Sequence, residues 1–453
     1  SVDRGQTEAA YALGYNKNQT FFRIIFPQAM TIFLPSYCGQ AVETIKATAV
    51  VGYVAVNDLT KMGDIIRSNT YEAFFPLIAT AVIYFLLTWM LSALLGLVKR
   101  QFEPKRRSAE MILKGVKGFD YEKAFQYMKQ SMGDPDTEPE RRRFQYRRIP
   151  DRGKSELWKF GYLAFDGSEG ETVSKSMEYY LAAWCVAKVA GHLGHKEDSV
   201  RFHNLSMCYK KLFDTETRFF RAKDKAGNFR TSEGFNPSHQ TGDYTESTPW
   251  QYLWLVPHDV DGLIELLGGK EMAEVRLDSL FMADSRLNAD ANPDISGLVG
   301  QYAHGNEPSH HTLYIYNYIG QPDKTSRRVH EILTAMYTDT PDGICGNEDV
   351  GQLSAWYVLS ALGFAQVCPG HATYFVNTPL FKKATVKLDP KYHACTTSDV
   401  FVVECDNDPL EFPYIKSMRL NGTELSRSYL TYEEIIGGGK LEFSLSKEPC
   451  PEF

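Results

Sequence analysis

Residues 74–98 read FFPLIATAVIYFLLTWMLSALLGLV, an apolar run that contains no charged side chain. A helix needs about 20 predominantly apolar residues to cross the hydrocarbon core of a bilayer. A surface helix of a soluble domain instead has one apolar and one polar face. We therefore predict a transmembrane helix at residues 74–98. Because residues 108–453 are polar and rich in carboxylates, the sequence predicts a multidomain protein in which an α-helical membrane segment precedes a soluble part.

The charge balance excludes one class of partner. The 453-residue chain carries 49 basic and 56 acidic side chains, for a net charge of −7. This balance predicts no nucleic-acid partner, because a nucleic-acid surface needs an excess of basic groups. The basic cluster at residues 99–107 directly follows the apolar run, as on the cytoplasmic flank of a membrane helix. The eight cysteines lack zinc-site spacing, and the sequence leaves open whether they are free or paired.

A spaced motif precedes the apolar run. Glu8, Ala9 and Ala10 are followed by Gly14 and later by an Ile-Ile-Phe-Pro sequence. The motif resembles the coupling loop of ABC-transporter permease subunits of the polar amino-acid uptake type, over residues 1 to about 103. The resemblance implies that this loop contacts a transporter ATPase and that a permease fragment contacts membrane lipid. Gly14 would permit the turn between two short helices. A soluble helical hairpin followed by one buried helix is the alternative interpretation.

Periodicity predicts many helices in the soluble part. In residues 172–193, which read TVSKSMEYYLAAWCVAKVAGHL, apolar side chains recur at steps of three and four. Loops rich in Gly, Pro, Asn and Asp separate this helix from the others. The other predicted helices are 197–213, 257–267, 271–282, 311–319, 325–337 and 351–363. Many helices joined by long, aromatic-rich loops indicate an α/α toroid, in which the loops at one end form a carbohydrate cleft.

The pattern changes after about residue 371. Short alternating runs at 384–388, 400–405 and 440–445 predict strands, and Asn421-Gly422 predicts a tight turn. Strands of this length and spacing favour a C-terminal β-sandwich.

Three loop motifs carry most of the polar chemistry. They read YTESTPWQY at 244–252, GQYAHGNEPSHH at 300–311 and DGICGNEDVGQ at 342–352. Glu246 lies beside aromatic side chains, and an apolar environment raises the pKa of a carboxyl because it disfavours the charged form. A general acid at neutral pH needs such a shift. The oxygen-rich composition of the other two loops favours calcium over zinc.

Each motif also has an interpretation that involves no catalysis. Glu246 fits equally a carboxylate at a helix N-terminus, stabilised by the helix dipole. His310 and His311 fit a packed histidine pair. Residues 347–349 fit a turn that leads into a helix cap. The three motifs in series, within a Tyr- and Trp-rich helical frame, favour a carbohydrate-active site.

The motifs resemble those of glycoside hydrolase family 92, the calcium-dependent, inverting exo-α-mannosidases, over residues 110 to about 450. The resemblance implies that Glu246 is the general acid and that Asp349, together with calcium, activates the attacking water. The expected substrate is a glycan with terminal α-linked mannose, with an α-1,2 linkage favoured. The implied calcium environment consists of Gln301, Asn306, Glu307 and Asp349. The implied substrate contacts are Trp250, His310, His311 and Asn347.

The chain departs from the family pattern in three ways. Asn347 stands where many members carry Asp, and Ala183 stands before Trp184 where Asp is common. The N-terminal β-sandwich of the family and the first helices of its toroid are expected to be missing, which makes the toroid incomplete and predicts impaired activity. The expected domains are the permease fragment at 1–107, the incomplete toroid at 108–370 and the β domain at 371–453.

The two resemblances imply different locations. The permease segment implies the bacterial inner membrane. Family 92 enzymes act on glycans in the periplasm or outside the cell, whereas the basic cluster at 99–107 predicts that residues 108–453 are cytoplasmic. The alternative function is a permease subunit of an amino-acid ABC transporter that carries residues 108–453 as a passenger extension.

Overall fold

The computed structural model divides the chain into two compact units, Ser1–Pro104 and Lys105–Phe453. The residues that it describes all belong to the second unit, and they are 106–136, 143–144, 147–148, 151–340, 342–349, 351–389 and 398–450. The predicted membrane helix at 74–98 and the coupling loop with Glu8, Ala9, Ala10 and Gly14 lie outside these residues. Within the described part of the chain, no helix has the length and apolar character needed to span a bilayer.

The helical part is built around one long helix. The preceding helices are α1 (Arg106–Leu113), α2 (Tyr121–Ser131) and α3 (Lys154–Phe160), and α4 spans Thr172–Leu193. The bounds of α4 agree with the prediction, and Gly194 ends it in a left-handed conformation (φ 86°) that glycine adopts without strain. Most residues of α4 are buried on all sides, because α1, α2 and the following helix pack around it. The helix is therefore the centre of the larger apolar core.

The remaining helices follow the predicted order with shifted ends, except that the short helix at Pro249–Tyr252 was not predicted. They are α5 (Lys196–Ser206), α6 (Pro249–Tyr252), α7 (Val260–Leu266), α8 (Lys270–Met282), α9 (Ile315–Tyr318), α10 (Pro322–Ala335) and α11 (Gln352–Leu362). The segment predicted as one helix at 197–213 changes after α5 into a 3₁₀-helix, Met207–Leu212. Helix α10 begins with Pro322, three residues before the predicted start, because proline fits the first turn of a helix. The closed ring of an α/α toroid stays a prediction.

Short strand pairs lie between the helices. They are β1 (Arg143–Phe144) with β2 (Arg147–Arg148), β3 (Phe213–Asp214) with β4 (Phe219–Phe220), and β5 (Leu298–Val299) with β6 (Tyr302–Ala303), all antiparallel. The third pair directly precedes the GNEPSHH sequence. It therefore sets the direction in which that loop leaves the core.

The C-terminal part contains two sheets. Its strands are β7 (Phe364–Gln366), β8 (Thr373–Val376), β9 (Lys383–Lys387), β10 (Val400–Cys405), β11 (Tyr414–Leu420), β12 (Thr423–Leu425), β13 (Tyr429–Thr431) and β14 (Gly439–Ser446), with the short helix α12 (Tyr432–Ile436) before β14. The strand orders are β12-β11-β14-β10-β9 and β13-β8-β7, and among the described strands only β10 and β14 pair in parallel. Side chains from both sheets form one separate apolar core, which is the arrangement of a sandwich.

Local sequence explains two features of this part. Burial alternates residue by residue along β10, as the prediction for 400–405 requires. Asn421 and Gly422 connect β11 to β12 with φ values of 51° and 82°, which is the two-residue hairpin turn that Asn-Gly favours. The strands begin at Phe364, somewhat before the expected domain start at residue 371.

Candidate active site

Two of the three motif loops cross at glycines. A Cβ atom on Gly346 would lie 2.7 Å from the Cα of Gly305, and one on Gly297 would lie 2.6 Å from the Sγ of Cys345. The Ser296 hydroxyl donates a hydrogen bond of 2.7 Å to the carbonyl of Cys345. The loop around 297–307 and the loop around 343–349 therefore touch through their backbones, which any side chain at Gly346 would prevent.

The third motif loop is attached to the same place by amide side chains. The Asn306 Nδ2 donates to the carbonyl oxygen of Glu246 at 2.7 Å. The Gln251 Nε2 donates to the carbonyl of Gln301. Gln251 also completes a capping box with Thr248 at the start of α6, which fixes the turn after Glu246. These bonds hold the YTESTPWQY loop against the GNEPSHH loop.

The three loops bring carboxyl groups together. Burial, a hydrogen bond to Asp349 and the charges of Asp349 and Glu246 raise the pKa of Glu307 to about 7. Burial raises the pKa of Glu246, and the charges of Asp294, Asp349 and Glu171 raise it further. The predicted acid, the predicted base and a predicted calcium ligand therefore form one cluster. The raised pKa of Glu246 has the direction expected from the sequence.

Several acidic residues of the cluster have a left-handed backbone. The φ angle is 47° at Glu246, 63° at Glu348 and 39° at Asp349. Such conformations cost of order 1–3 kcal/mol for a non-glycine residue and concentrate at functional sites. The Glu348 carboxylate helps to hold the turn, because it accepts hydrogen bonds from the amide and the hydroxyl of Ser354 at 3.2 and 2.8 Å, in the first turn of α11.

Three predicted substrate contacts are largely buried. The His310 Nε2 donates to the carbonyl of His304 at 2.9 Å, and the His311 Nε2 donates to the carbonyl of Trp254 at 2.6 Å. Burial lowers the pKa of both histidines to about 4, so they are neutral. Trp250 is 8% exposed and packs edge-on against Phe219. These contacts fit the packed-histidine alternative, and a role of the three side chains in substrate contact stays a prediction.

Comparison with known families assigns the two parts of the chain. Residues 106–447 match the family model of the glycosyl hydrolase family 92 catalytic domain. The chain belongs to glycosyl hydrolase family 92. Residues 1–108 match a second family model, the binding-protein-dependent transport system inner membrane component. Both resemblances inferred from the sequence, and the multidomain organisation, are thereby confirmed.

Known relatives match each part separately. A solved family 92 α-mannosidase from Bacteroides thetaiotaomicron, in complex with mannoimidazole, is 36% identical with a TM-score of 0.68, over 77% of this chain and 43% of that one. An inverting family 92 mannosidase from the same organism is 34% identical with a TM-score of 0.65, over 77% of this chain and 47% of that one. A putative glutamine transport system permease protein from Rickettsia bellii is 34% identical over 22% of this chain and 46% of that protein. The chain thus spans less than half the length of each of these relatives.

Within the candidate site, Asn347 contacts a carboxylate that the sequence did not single out. Its Nδ2 donates to Asp294 Oδ1 at 2.6 Å, and Asp294 is the first of the charges that raise the pKa of Glu246. Asp294 lies in a loop without any motif, and only the three-dimensional fold places it here. Asn347 stays a predicted substrate contact, and the structure adds a role in orienting Asp294.

A buried histidine network supports the two crossing loops. His304 is fully buried, and each of its ring nitrogens lies 2.8 Å from a tyrosine hydroxyl, that of Tyr302 at Nδ1 and that of Tyr337 at Nε2. The Tyr337 hydroxyl also donates to the carbonyl of Leu353 at 3.2 Å. The Nε2 of His304 therefore donates to Tyr337, and the Tyr302 hydroxyl donates to Nδ1. His304 belongs to the second motif, at 300–311. Its position in that motif, between Tyr302 and Gly305, was the only feature of the sequence that indicated this network.

The donor set of the site fits a hard cation. Glu307 and Asp349 place two carboxyls in contact, and a divalent cation would relieve their repulsion. The amide nitrogen of Asn306 donates to the carbonyl of Glu246, so its side-chain oxygen would be available as a ligand. Gln301 fits less well, because it is fully buried and its side-chain oxygen already accepts a hydrogen bond of 3.4 Å from the Thr248 hydroxyl. Among the described residues, no group of three or more His, Cys, Asp or Glu side chains is arranged to hold a metal ion.

Proposed function

We propose that the part of the chain from residue 106 onward is an inverting, calcium-dependent exo-α-mannosidase unit that removes terminal α-linked mannose from glycans. The observation that carries the proposal is the cluster of Glu246, Glu307 and Asp349, in which burial and neighbouring charges raise the pKa of the first two carboxyls. Glycoside hydrolysis requires two carboxyl groups, one of which acts as an acid and needs a raised pKa, as Glu246 has. The mannosidase titles of the solved relatives support the same substrate class.

Glu246 and Asp349 divide the reaction between them. Glu246 donates its proton to the glycosidic oxygen while the bond between that oxygen and C1 of mannose breaks. A water molecule attacks C1 from the opposite face, and Asp349 takes the proton that the water loses. Inverting enzymes keep the two carboxyls roughly 6.5–9.5 Å apart so that the water fits between the base and the sugar. Glu307, through its hydrogen bond, orients Asp349.

Glu307, Asp349 and the amide oxygen of Asn306 would hold the calcium ion, with Gln301 as a further predicted ligand. When bound, calcium supplies positive charge that polarises sugar hydroxyls and favours ionised water at the site. All other functions of the site are carried out by residues of the chain itself. The crossing at Gly305 and Gly346 fixes the distance between the loops of Glu307 and Asp349.

The test is release of mannose from α-1,2-mannobiose by the full chain in detergent, with calcium or with EDTA. Glu246→Gln should lower kcat by about 10²–10⁴-fold, because general acid catalysis contributes that much. Glu448→Gln makes the same change at an exposed position near the C-terminus and should leave the rate unchanged. Failure of the unmodified chain to release mannose in calcium, or an equal rate for Glu246→Gln, would refute the proposal. Insensitivity to EDTA would refute the calcium requirement alone.

The match of residues 1–108 to a transport-system family favours a second function for that part. We propose that the loop with Glu8, Ala9, Ala10 and Gly14 binds an ABC-transporter ATPase at the bacterial inner membrane, with lipid around the apolar run at 74–98. Co-purification with an amino-acid-transporter ATPase should be lost in Gly14→Pro, and co-purification of neither form would refute the idea. Protease added to spheroplasts distinguishes the two locations, because it cleaves the catalytic unit only if that unit is periplasmic.

A further inference from the structure

Two cysteines approach one another in the larger apolar core. Cys185 lies on α4, and Cys368 lies in the connection between β7 and β8; their side chains belong to residues that are 1% and 3% exposed. The Cys185 thiol donates to the carbonyl oxygen of Pro369 at 3.7 Å, and the Cys368 thiol donates to the same oxygen at 3.5 Å. Two sulfur atoms from distant parts of the sequence thus contact a single oxygen atom.

Neighbouring residues hold the β7–β8 connection against α4. A Cβ atom on Gly370 would lie 3.5 Å from the ring of Trp184, and the ring of His371 stacks on Trp184 at 6.3 Å between centres and 26° between planes. The amide of Gly370 also donates to the carboxylate of Glu110 in α1. The approach of the two cysteines is therefore fixed by contacts that do not involve the thiols themselves.

The surroundings exclude two other uses of a cysteine pair. A structural zinc site takes four Cys or His ligands, and the described part of the chain holds no cluster of even three His, Cys, Asp or Glu side chains that could bind a metal. A nucleophilic cysteine needs a partly exposed, electropositive environment, whereas Cys185 and Cys368 are buried among apolar side chains. Oxidation to a disulfide and plain packing as small apolar side chains are the two remaining roles.

The shared contact favours oxidation. Packing alone requires only that each thiol fill its own space, and it gives no reason for two thiols to meet at one carbonyl. We propose that Cys185 and Cys368 form a disulfide when the part of the chain from residue 106 onward folds in an oxidising compartment. The bond would replace two weak hydrogen bonds to Pro369. This inference does not depend on the mannosidase function.

The bond forms by thiol–disulfide exchange with the disulfide of a thiol oxidoreductase. The thiolate of one cysteine attacks that disulfide, which releases one oxidoreductase thiol and leaves a mixed disulfide. The thiolate of the second cysteine then attacks the sulfur of the first and releases the other oxidoreductase thiol. The two cysteines lose two protons and two electrons, and the oxidoreductase disulfide is reduced to two thiols. Because both cysteines are buried in the folded chain, the exchange takes place during folding.

The position of the bond gives it two consequences. The segment 185–368 contains all three motif loops, at 244–252, 300–311 and 342–352, so the disulfide would join the two ends of the segment that carries the carboxyl cluster. A disulfide stabilises more when it closes a longer loop. Because cytoplasmic reductants keep thiols reduced, the bond would form in the periplasm and not in an ordinary cytoplasm.

Peptide mapping without reduction tests the pairing directly. The full chain is expressed in a bacterial strain with an oxidising cytoplasm, so that either location of the catalytic unit permits the bond, and remaining thiols are blocked with N-ethylmaleimide. Digestion by trypsin and a Glu-specific protease gives one peptide with Cys185 (179–188) and another with Cys368 (349–382), and separates both from Cys345. We expect these two peptides to be joined and to separate on reduction. Blocked, unjoined peptides, or a bond from Cys185 to any other cysteine, would overturn the proposal.

Thermal unfolding of the same preparation, before and after full reduction, gives a second readout. Reduction should lower the unfolding temperature of the unmodified chain by about 5 °C. Cys185→Ala should show no such fall, whereas Cys208→Ala, which removes a half-buried thiol that donates to the carbonyl of Asn204, should show the fall of the unmodified chain. Each variant is compared with itself, so the cost of the smaller side chain cancels. An equal fall in Cys185→Ala would overturn the proposal, and neither measurement uses mannose release, so the proposed function stands or fails separately.

Discussion

Glu307→Gln should make the protein more stable without calcium and less responsive to calcium. The carboxyl of Glu307 is half-buried and hydrogen-bonded to Asp349, and its pKa is raised to about 7. Between pH 4.5 and 7 the folded state therefore binds more protons at this position than the unfolded state. Folded stability consequently falls as the pH rises through this window, and the loss is complete above pH 7. Glutamine has no proton to lose, so the variant avoids this loss.

The size of the effect follows from the pKa difference. A rise from 4.5 to about 7 corresponds to about 3 kcal/mol at 1.36 kcal/mol for each pKa unit. Because solvent screens a half-buried carboxyl, we expect about 1–2 kcal/mol. At pH 8 in EDTA, Glu307→Gln should therefore raise the unfolding temperature by about 2–4 °C. At pH 4 the two proteins should unfold at the same temperature.

Calcium should reverse the order of stability. A ligand that binds only the folded state adds about 2.7 kcal/mol at 100 times its dissociation constant, and Glu307→Gln removes one proposed ligand. Thermal unfolding of both proteins at pH 8, in EDTA and in millimolar calcium, measures both effects. Glu448→Gln, at an exposed position, should behave as the unmodified chain does. A lower unfolding temperature for Glu307→Gln in EDTA, or an undiminished calcium shift, would refute the reasoning.

Three further predictions concern packing and pH. Gly346→Ala brings a methyl group against the backbone of Gly305; it should lower the free energy of unfolding by about 1–3 kcal/mol and remove most of the activity. In Gly170→Ala the added methyl group meets no atom within 4 Å, so this control should change neither stability nor activity. Unfolding and rate assays measure both quantities. His304→Phe leaves the Tyr302 hydroxyl without its acceptor, while the Tyr337 hydroxyl keeps its bond to Leu353, and should destabilise the fold by about 1–3 kcal/mol, measured by denaturant unfolding. Burial lowers the pKa of His258 to about 4, so the unfolded state binds the extra proton and stability falls as the pH drops from 6.5 to about 4. His258→Gln should reduce this fall by up to about 3 kcal/mol, and identical pH profiles would contradict it.

The parts of the fold that local sequence determines were predictable. Helix α4 has the predicted bounds because its apolar period is long and Gly194 stops it. Strand β10 has the predicted bounds because one face is buried and the other is not. The 3₁₀-helix after α5 was missed, since its residues carry the same periodicity as an α-helix. Helix α6 was missed as well, because four residues give too short a period to recognise.

The sequence predicted which residues belong to the site better than it predicted how they are arranged in space. The motifs named Glu246, Glu307 and Asp349 without showing that a backbone crossing at Gly305 and Gly346 brings the last two together. Contacts between residues so distant in sequence depend on the whole fold. The motifs also gave no sign that the nitrogens of His310 and His311 bond to backbone carbonyls, because the same residue types occur in packed cores and in substrate sites.

Strained backbone conformations and neighbouring carboxyl groups occur in the same part of the molecule, which supports a functional origin for both. Glu171, Glu246, Glu348 and Asp349 all have positive φ values, and two of them, Glu171 and Asp349, also raise the pKa of Glu246. A fold selected for stability alone would place glycine or asparagine at such positions and would separate the carboxyls. Each feature lowers the stability of the folded chain, and a bound cation would relieve the repulsion between the carboxyls. The predicted gain in stability on Glu307→Gln therefore tests whether this part of the chain is organised for binding.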